Sequence, residues 1–385
     1  MHSDSRCLAL VGDAFGGRGG IAQYNRDFLG ALANSGLMSS ITVLPRRAPD
    51  PVVLPPGITQ AAPHLGRIGY VQSALRGTLG RPVQMVFCGH LYMAPLALRV
   101  ARWHRAKLIV QMHGIEAWPR PSRLQQHAVE AADLVLCVSR YTRARVIEWA
   151  AIAPERVRVL PDTVGEAFTP GDGGALRRSW GLQDKRVLLT VGRMDAREGY
   201  KGHDRVIAAL PQLLAAGHDI AYVVVGDGDD RARLQNLTAE RGVAERVRFV
   251  GMLGQDALTD AYRMADLFVM PSSGEGFGIA FLEAMACGTP ALGLSAGGAV
   301  DALADGEFGA LASEAEFASV LARLLGSPKP DPQALAATVR ARFGYAAFSC
   351  QVRDIMTPVL RDNAEPAAPV YKADLSEQLS MRSIN

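Results

Sequence analysis

Pro271-Ser272-Ser273-Gly274-Glu275-Gly276-Phe277-Gly278-Ile279-Ala280-Phe281-Leu282-Glu283 joins an apolar run to a helix, and its reading decides the fold. The run before it, Leu267 to Met270, has the character of a buried parallel strand and stops at Pro271. A glycine-studded loop follows, and a helix is expected from about Ile279 to Ala286. Loops at the carboxyl ends of parallel strands are where doubly wound α/β domains place ligands. The helix start offers unpaired backbone N–H groups and a positive dipole end to an anion. Glu275 precedes that helix and Glu283 lies within it. Two acids at an anion-ready helix end need partners of their own, and sugar or ribose hydroxyls, which donate to carboxylates, are natural ones.

The same strand–loop–helix alternation extends outward in both directions. Downstream and upstream of the stretch, strands are expected at Arg186–Val191, Ala221–Val225, Val247–Val250 and Pro290–Leu292, with helices between them. The first half repeats the pattern with strands at Cys7–Val11, Ile41–Leu44, Val83–Cys88, Leu108–Met112 and Leu134–Val138, and with Pro45 to Pro63 as a Pro-rich irregular segment. Such interleaving predicts parallel, doubly wound sheets. The expected organisation is an N-terminal Rossmann-like domain over 1–164 and a linker over 165–185. A C-terminal domain follows over 186–345, then a helix over 346–363. The polar tail, 364–385, is expected to be disordered. Two such domains facing one another leave a cleft, a geometry suited to two-substrate enzymes.

A length of 385 residues gives each domain its own core. The five cysteines are scattered and form no CxxC pair, which argues against a disulfide framework or a zinc site and fits a reducing cytosol. The apolar run Cys7–Val11 is too short for a signal-peptide core or a membrane span. Net charge is only +3, but residues 1–165 carry 19 basic and 10 acidic side chains against 22 and 28 in the remainder. A basic first half suits an anionic partner such as a membrane surface or a phosphorylated lipid. Arginines that merely solvate helix faces would give the same count.

Four further groups could do chemistry. Gly16-Gly17-Arg18-Gly19-Gly20 follows a strand and opens a helix, as phosphate-cradling loops do, although plain structural turns share that form. It lacks the Gly-x-Gly-x-x-Gly spacing of dinucleotide enzymes, and the chain lacks the Gly-x-x-x-x-Gly-Lys-Ser/Thr of ATPases. Arg193 and Lys201 lie at the mouth of the next strand–loop–helix junction, where two cations would neutralise a pyrophosphate, with Asp204 expected as an N-cap. His113 ends the strand Leu108–Met112 and faces the cleft; single histidines more often have only a structural role. Asp227-Gly228-Asp229 matches a metal-holding Asp-x-Asp, but its place before a helix favours capping by Asp229 or Asp230.

Together these residues resemble the GT-B glycosyltransferases of family 4, retaining nucleotide-sugar transferases marked by Glu-x7-Glu, here Glu275 to Glu283 and continuing to Pro290. Gly19 to Tyr24, His113-Gly114, Gly192-Arg193, Lys201-Gly202-His203-Asp204, Gly226-Asp227-Gly228 and Gly297-Gly298 occur in the family's order, and the resemblance covers about residues 7 to 355. It implies an α/β fold of two doubly wound Rossmann-like domains facing a cleft, the first on the acceptor side and the second binding the nucleotide sugar, with the last helix packing back on the first. It also implies that Glu275 binds donor-sugar hydroxyls, that Glu283 holds the ribose, and that His113 touches the transferred sugar. Arg193 and Lys201 would neutralise the diphosphate with backbone N–H groups of Phe277, Gly278 and Ile279. Gly17 and its neighbours would approach the donor phosphate or the acceptor as the domains close, and the base would lie near Leu253. Three departures stand out. The Arg193–Lys201 interval is about two residues longer than is common, Val300-Asp301 replaces Pro-Glu, and Pro161-Asp162-Thr163 replaces Pro-Asn-Gly.

The implied activity is transfer of a hexose, with retention, from a nucleotide diphosphate sugar (GDP-mannose or a UDP-sugar) to an acceptor hydroxyl, with no metal and no other cofactor. A lipid-linked oligosaccharide on the way to a bacterial surface polysaccharide is the leading acceptor. Arg99, Arg102 and Arg105 beside Trp103, with Arg140, Arg143 and Arg145 beyond, would meet an anionic membrane. The expected location is cytoplasmic, at the inner face of the cell membrane, with a glycan or glycolipid as partner and no nucleic acid. A soluble small-molecule glycosyltransferase, a GT-B-type nucleotide-sugar epimerase and a non-catalytic nucleotide-sugar binding protein are the alternatives.

Overall fold

A computed structural model describes residues 5–76 and 82–361. Seven strands form the first sheet: β1 (Arg6–Val11), β2 (Ser40–Pro45), β3 (Ile58–Gln60), β4 (Met85–Cys88), β5 (Lys107–Met112), β6 (Leu134–Cys137) and β7 (Val157–Val159). Their spatial order is β3-β2-β1-β4-β5-β6-β7, and every pairing is parallel. The second sheet holds β8 (Arg186–Val191), β9 (Ile220–Val225), β10 (Val247–Gly251), β11 (Leu267–Met270), β12 (Ala291–Leu294) and β13 (Ala310–Ala312), in the order β10-β9-β8-β11-β12-β13. Both sheets are doubly wound, as the alternation predicts. Strands β4, β6, β9, β11 and β12 are buried along their whole length, which explains their unbroken apolar runs.

Each sheet reverses its order beside its first strand, between β1 and β4 and between β8 and β11. The connections that leave those strands diverge to opposite faces, and a crevice opens at the carboxyl ends. The loops after β1 and β4 therefore line one crevice, and those after β8 and β11 line the other.

Several sequence expectations are corrected. The segment Pro45 to Pro63, read as irregular, carries β3, paired to β2 from Ile41–Ile58 to Val43–Gln60. An edge strand needs only one row of hydrogen bonds, so a short one persists among prolines. The segment 165–185, read as a linker, contains the helix Gly174–Ser179 and packs on the second body. Its Arg177 donates to the carbonyls of Leu182, Lys185 and Met264 and to the Asp266 carboxylate. Asp204 is not a cap: Gly202 holds that position for His203–Ala215, and the Asp204 carboxylate takes the two-pronged grip of Arg233 instead. The tail 364–385 lies outside the described residues. Among those described, no helix is long and apolar enough to cross a membrane.

The chain crosses between the bodies twice, and the crossings are tied together. Val164 N–H donates to the Phe343 carbonyl at 2.9 Å, and the Thr163 hydroxyl donates to the same oxygen at 2.8 Å. Beyond the second crossing, the helix Tyr345–Arg361 lies along Gly20–Asn34 of the first body. Phe348 meets Tyr24 edge-on at 5.9 Å.

Asp266 anchors the second sheet from its amino ends. It is 8% exposed and accepts from Val187 N–H at 2.7 Å and Arg177 at 2.9 Å, with Lys329 Nζ at 2.6 Å. Removing one partner from a buried charged cluster strands the others. Asp266→Ala should lower the unfolding free energy by about 3 kcal/mol in urea titration; a loss under about 1 kcal/mol would deny the cluster that role.

Candidate active site

Pro271 ends β11, and Ser272–Gly278 form the loop into the helix Ile279–Ala286. The Ser272 hydroxyl donates to Glu275 Oε2 at 3.2 Å, and Lys201 Nζ lies 3.4 Å from both carboxylate oxygens. Lys201 closes a 3-10 segment, Ala196–Lys201, whose first turn is capped by Asp195. Ser273 N–H donates to the Tyr200 carbonyl at 2.9 Å and binds that segment to the acid loop. The 3-10 segment absorbs the long Arg193–Lys201 interval and still delivers the ammonium to Glu275. The Lys201 and Glu275 side chains are only 12% and 15% exposed, so salt screens their attraction weakly. Arg193 is exposed just beyond β8, on the rim of the same crevice.

Glu283 has a different environment. It is partly buried in the helix after the loop, and the Tyr262 hydroxyl donates to its Oε2 at 2.6 Å. Burial pushes its carboxyl up to about 7, against the opposing pull of that hydrogen bond. Phe277 buries its ring against Phe343 at 5.7 Å, so only its backbone is left to meet a ligand. Gly278, at φ 102°, holds the N-cap of the helix that Ile279 begins. Leu253 follows β10 and packs partly buried on the main core.

The first body meets this loop main chain to main chain. A methyl on Gly114 would lie 2.6 Å from Gly276 Cα, and one on Gly276 would overlap the His113 carbonyl. Gly20, at the end of the glycine-rich turn, sits close enough that a methyl there would come within 3.1 Å of Ile279 Cδ1. Gly17 lies deeper in the turn, where a side chain would collide with Asp13 and Ala22. Its carbonyl and that of Ala14 accept from Arg26, at 2.8 Å and 2.9 Å.

His113 lies 2.9 Å through Nε2 from the Gly89 carbonyl, and its backbone N–H donates to Glu116 Oε1 at 2.5 Å. Burial lowers its pKa and keeps the ring neutral. A carbonyl partner assigns the proton to Nε2 and leaves Nδ1 as an acceptor. The structure thus gathers Glu275, Lys201, Phe277, Gly278, Ile279 and Glu283 around one crevice, with Arg193 on its rim and His113 and the Gly17 turn opposite.

Other expected groups are not gathered there. Asp227 accepts from Gly228 N–H, Asp229 from Ala196 N–H, and Asp230 pairs with Arg233. Asp230 holds the N-cap position of the helix Arg231–Glu240 without a side-chain cap bond. Among the described residues no three His, Cys, Asp or Glu side chains are grouped to hold a metal ion. Arg140, Arg143 and Arg145, expected on a membrane-facing patch, are spent within the protein. Arg143 donates to the Val157 and Pro154 carbonyls, and Arg145 to Glu148 and the Trp118 carbonyl. Arg140 crosses the cleft to Asp301 and Asp305, each at 2.7 Å. Asp301, which stands where the resemblance expects the Glu of Pro-Glu, thus joins the two bodies.

The sequence reading also missed Tyr262, Ser272 and Glu116. Ser272 lay in the opening stretch, and its spacing from Glu275 was the one available signal.

The family described as glycosyl transferases group 1 matches residues 174–342, and the one described as glycosyltransferase family 4 matches residues 18–165. A D-inositol 3-phosphate glycosyltransferase of Catenulispora acidiphila is 32% identical over 254 residues, 62% of this chain and 59% of that protein. A GDP-mannose-dependent alpha-(1-6)-phosphatidylinositol monomannoside mannosyltransferase of Mycolicibacterium smegmatis is 34% identical over 262 residues, 63% of this chain and 67% of that protein. The chain thus spans about three-fifths of the length of the first of these relatives and two-thirds of the second. The Anabaena protein Alr3699/HepE, solved in complex with UDP, shares the fold with a TM-score of 0.73 at 20% identity, over 92% of this chain and 100% of that one.

The Glu283 carboxyl gives a signed pH dependence. Its folded value, about 7, lies above its ordinary 4.5, so the folded protein holds a proton that the unfolded chain has released. Stability therefore falls as pH rises from about 4.5 to about 7 and levels off above. Glu283→Gln removes that loss, and its melting temperature should gain on wild type between pH 5 and pH 7.5, then run parallel. A constant offset at every pH would contradict the assignment.

Proposed function

The chain belongs to glycosyltransferase family 4, with the GT-B fold, and from that premise we propose that it transfers a hexose, with retention, from GDP-mannose or a UDP-sugar to an acceptor hydroxyl. The observation that carries this reading is the convergence of Lys201, Glu275 and the Ile279 helix start at the crevice of the second sheet, facing His113. Glu275 accepts from hydroxyls of the donor sugar, and Glu283, with its second oxygen, from the ribose. His113 Nδ1 accepts from a sugar hydroxyl near the reacting carbon. The bond from the anomeric carbon to the diphosphate oxygen breaks, and its electron pair leaves with the diphosphate. Lys201, Arg193 and the N–H groups at Phe277, Gly278 and Ile279 stabilise that charge electrostatically. The acceptor oxygen bonds the anomeric carbon from the same face, and its proton passes to the departing phosphate. These cations take the part that a metal plays in other transferases, so none is required.

The acceptor we propose is a lipid-linked oligosaccharide of bacterial surface polysaccharide assembly, reached at the inner face of the cell membrane by a cytoplasmic enzyme. The helix Arg67–Arg76 supports this. Its Ile68 and Val71, with Leu65 just before it, are exposed, although Tyr70 on its other face is buried and donates to the Leu44 carbonyl at the end of β2. The adjacent helix Ala94–His104 exposes Trp103, Arg99 and Arg102. An apolar face beside basic residues suits an anionic lipid surface.

Two experiments test these readings. Thermal-shift and slow-hydrolysis screens of UDP-, GDP- and ADP-sugars should find one preferred donor, unaffected by chelator. Glu275→Ala and Lys201→Ala should each lose about 100-fold or more in turnover. Full activity in either variant would remove the proposed site. Separately, vesicles containing anionic phospholipid should sediment the protein at low salt, and Ile68→Glu with Val71→Glu should abolish it. Absent or salt-independent binding would count against the membrane acceptor.

A further inference from the structure

The crevice of the first sheet has its own furnishings. Strand β1 runs into Gly12-Asp13, and β4 runs into Gly89-His90 followed by the turn Leu91–Met93. Within that turn Tyr92 is 70% exposed, and its ring stacks on His90 with centroids 4.6 Å apart and planes 22° from parallel. Tyr92 N–H donates to His90 Nδ1 at 3.3 Å, which makes Nε2 the N–H donor of a neutral ring. The His90 ring centroid is 6.1 Å from that of His113, which borders the donor loop.

Asp13 lies at the neighbouring strand end, close enough to feel Arg26, Arg47 and His90. Glu116 acts on His90 from the β5 side. Arg26 is already committed to the Ala14 and Gly17 carbonyls.

An exposed aromatic face at the mouth of a crevice, with a carboxylate and an imidazole N–H at its edge, has the chemistry that recognises a pyranose. The ring's C–H face lies on the aromatic, and the rim hydroxyls reach the polar groups. Arg26 and the exposed Arg47 balance the carboxylates of Asp13 and Glu116, and with the histidines neutral no net positive charge remains to seat a phosphate.

We propose that Tyr92, backed by His90, is the platform for the sugar ring that carries the attacking hydroxyl, with Asp13 and His90 Nε2 at its edge. The acceptor is thus an uncharged glycoside at the site of transfer, whatever anchor it bears further away. This rests on the transferase reading above and names the half of the site that lies across the cleft from the donor.

The test offers methyl α-mannopyranoside, methyl α-glucopyranoside and methyl β-galactopyranoside as acceptors, with myo-inositol 1-phosphate as the charged comparison and the preferred nucleotide sugar as donor. Products are counted by mass spectrometry. At least one glycoside should be glycosylated. Tyr92→Ala should raise its KM about tenfold or more while kcat changes little, and Tyr92→Phe should restore the KM. The thermal shift produced by the nucleotide diphosphate should be the same in all three proteins, which a merely structural role for Tyr92 would not predict. An unchanged KM in Tyr92→Ala, or inositol phosphate as sole acceptor, overturns the platform and leaves the transferase reading standing. A wild-type protein that consumes no donor with any acceptor overturns both.

Discussion

The structure depends on a contact that contains no side chain. Gly114 and Gly276 bring the loop after β5 against the loop after β11, and a methyl group on either residue would push the bodies apart. His113 stands on one side of that seam, and Glu275 with its lysine on the other. Side chains that must meet across two rigid bodies need a positional tolerance below an ångström, and touching backbones supply it without rotamer freedom. Arg140 with Asp301 and Asp305 reinforces the seam from the rim.

The spacing of the two acids has a mechanical basis. Glu275 lies in the loop before the helix, where Ser272 and Lys201 reach it, and Glu283 lies further along the helix, where Tyr262 does. Between them Gly278 starts the helix, so its free N–H groups lie between two carboxylates that do not share a partner. One acid is paired with a cation and the other is a half-buried carboxyl raised toward neutrality, which gives two similar residues different tasks.

Much of the fold was legible because its strands are short apolar runs closed by Gly or Pro, and the helix Ile279–Ala286 is fenced by Gly278 and Gly288. The strands the sequence hid are β3, β7 and β13, each three residues long at a sheet edge, where half-exposure erases the apolar signal. The crevice of the second sheet was readable because its groups are contiguous: acids, glycines and helix start occur within one stretch. Arg140 and Asp301 stand 161 residues apart, and nothing local in either announces the other. Tyr92 and His90 belong to no motif, and their significance lies in where β4 happens to end. Arg143 and Arg145 looked like free surface charge because a sequence does not show which carbonyls lie within reach.

The last helix gives the order of synthesis a bearing on the order of assembly. Tyr345–Arg361 covers Gly20–Asn34, yet some three hundred residues, and the whole second sheet, emerge from the ribosome between them. The first body is therefore discontinuous in the chain. Its Tyr24 and Phe28 face stays uncovered while the second body is made, and closes only when the final helix returns. The tie between Val164 and Phe343 sets the two ends of the second body side by side, and so brings that helix back to the face it covers.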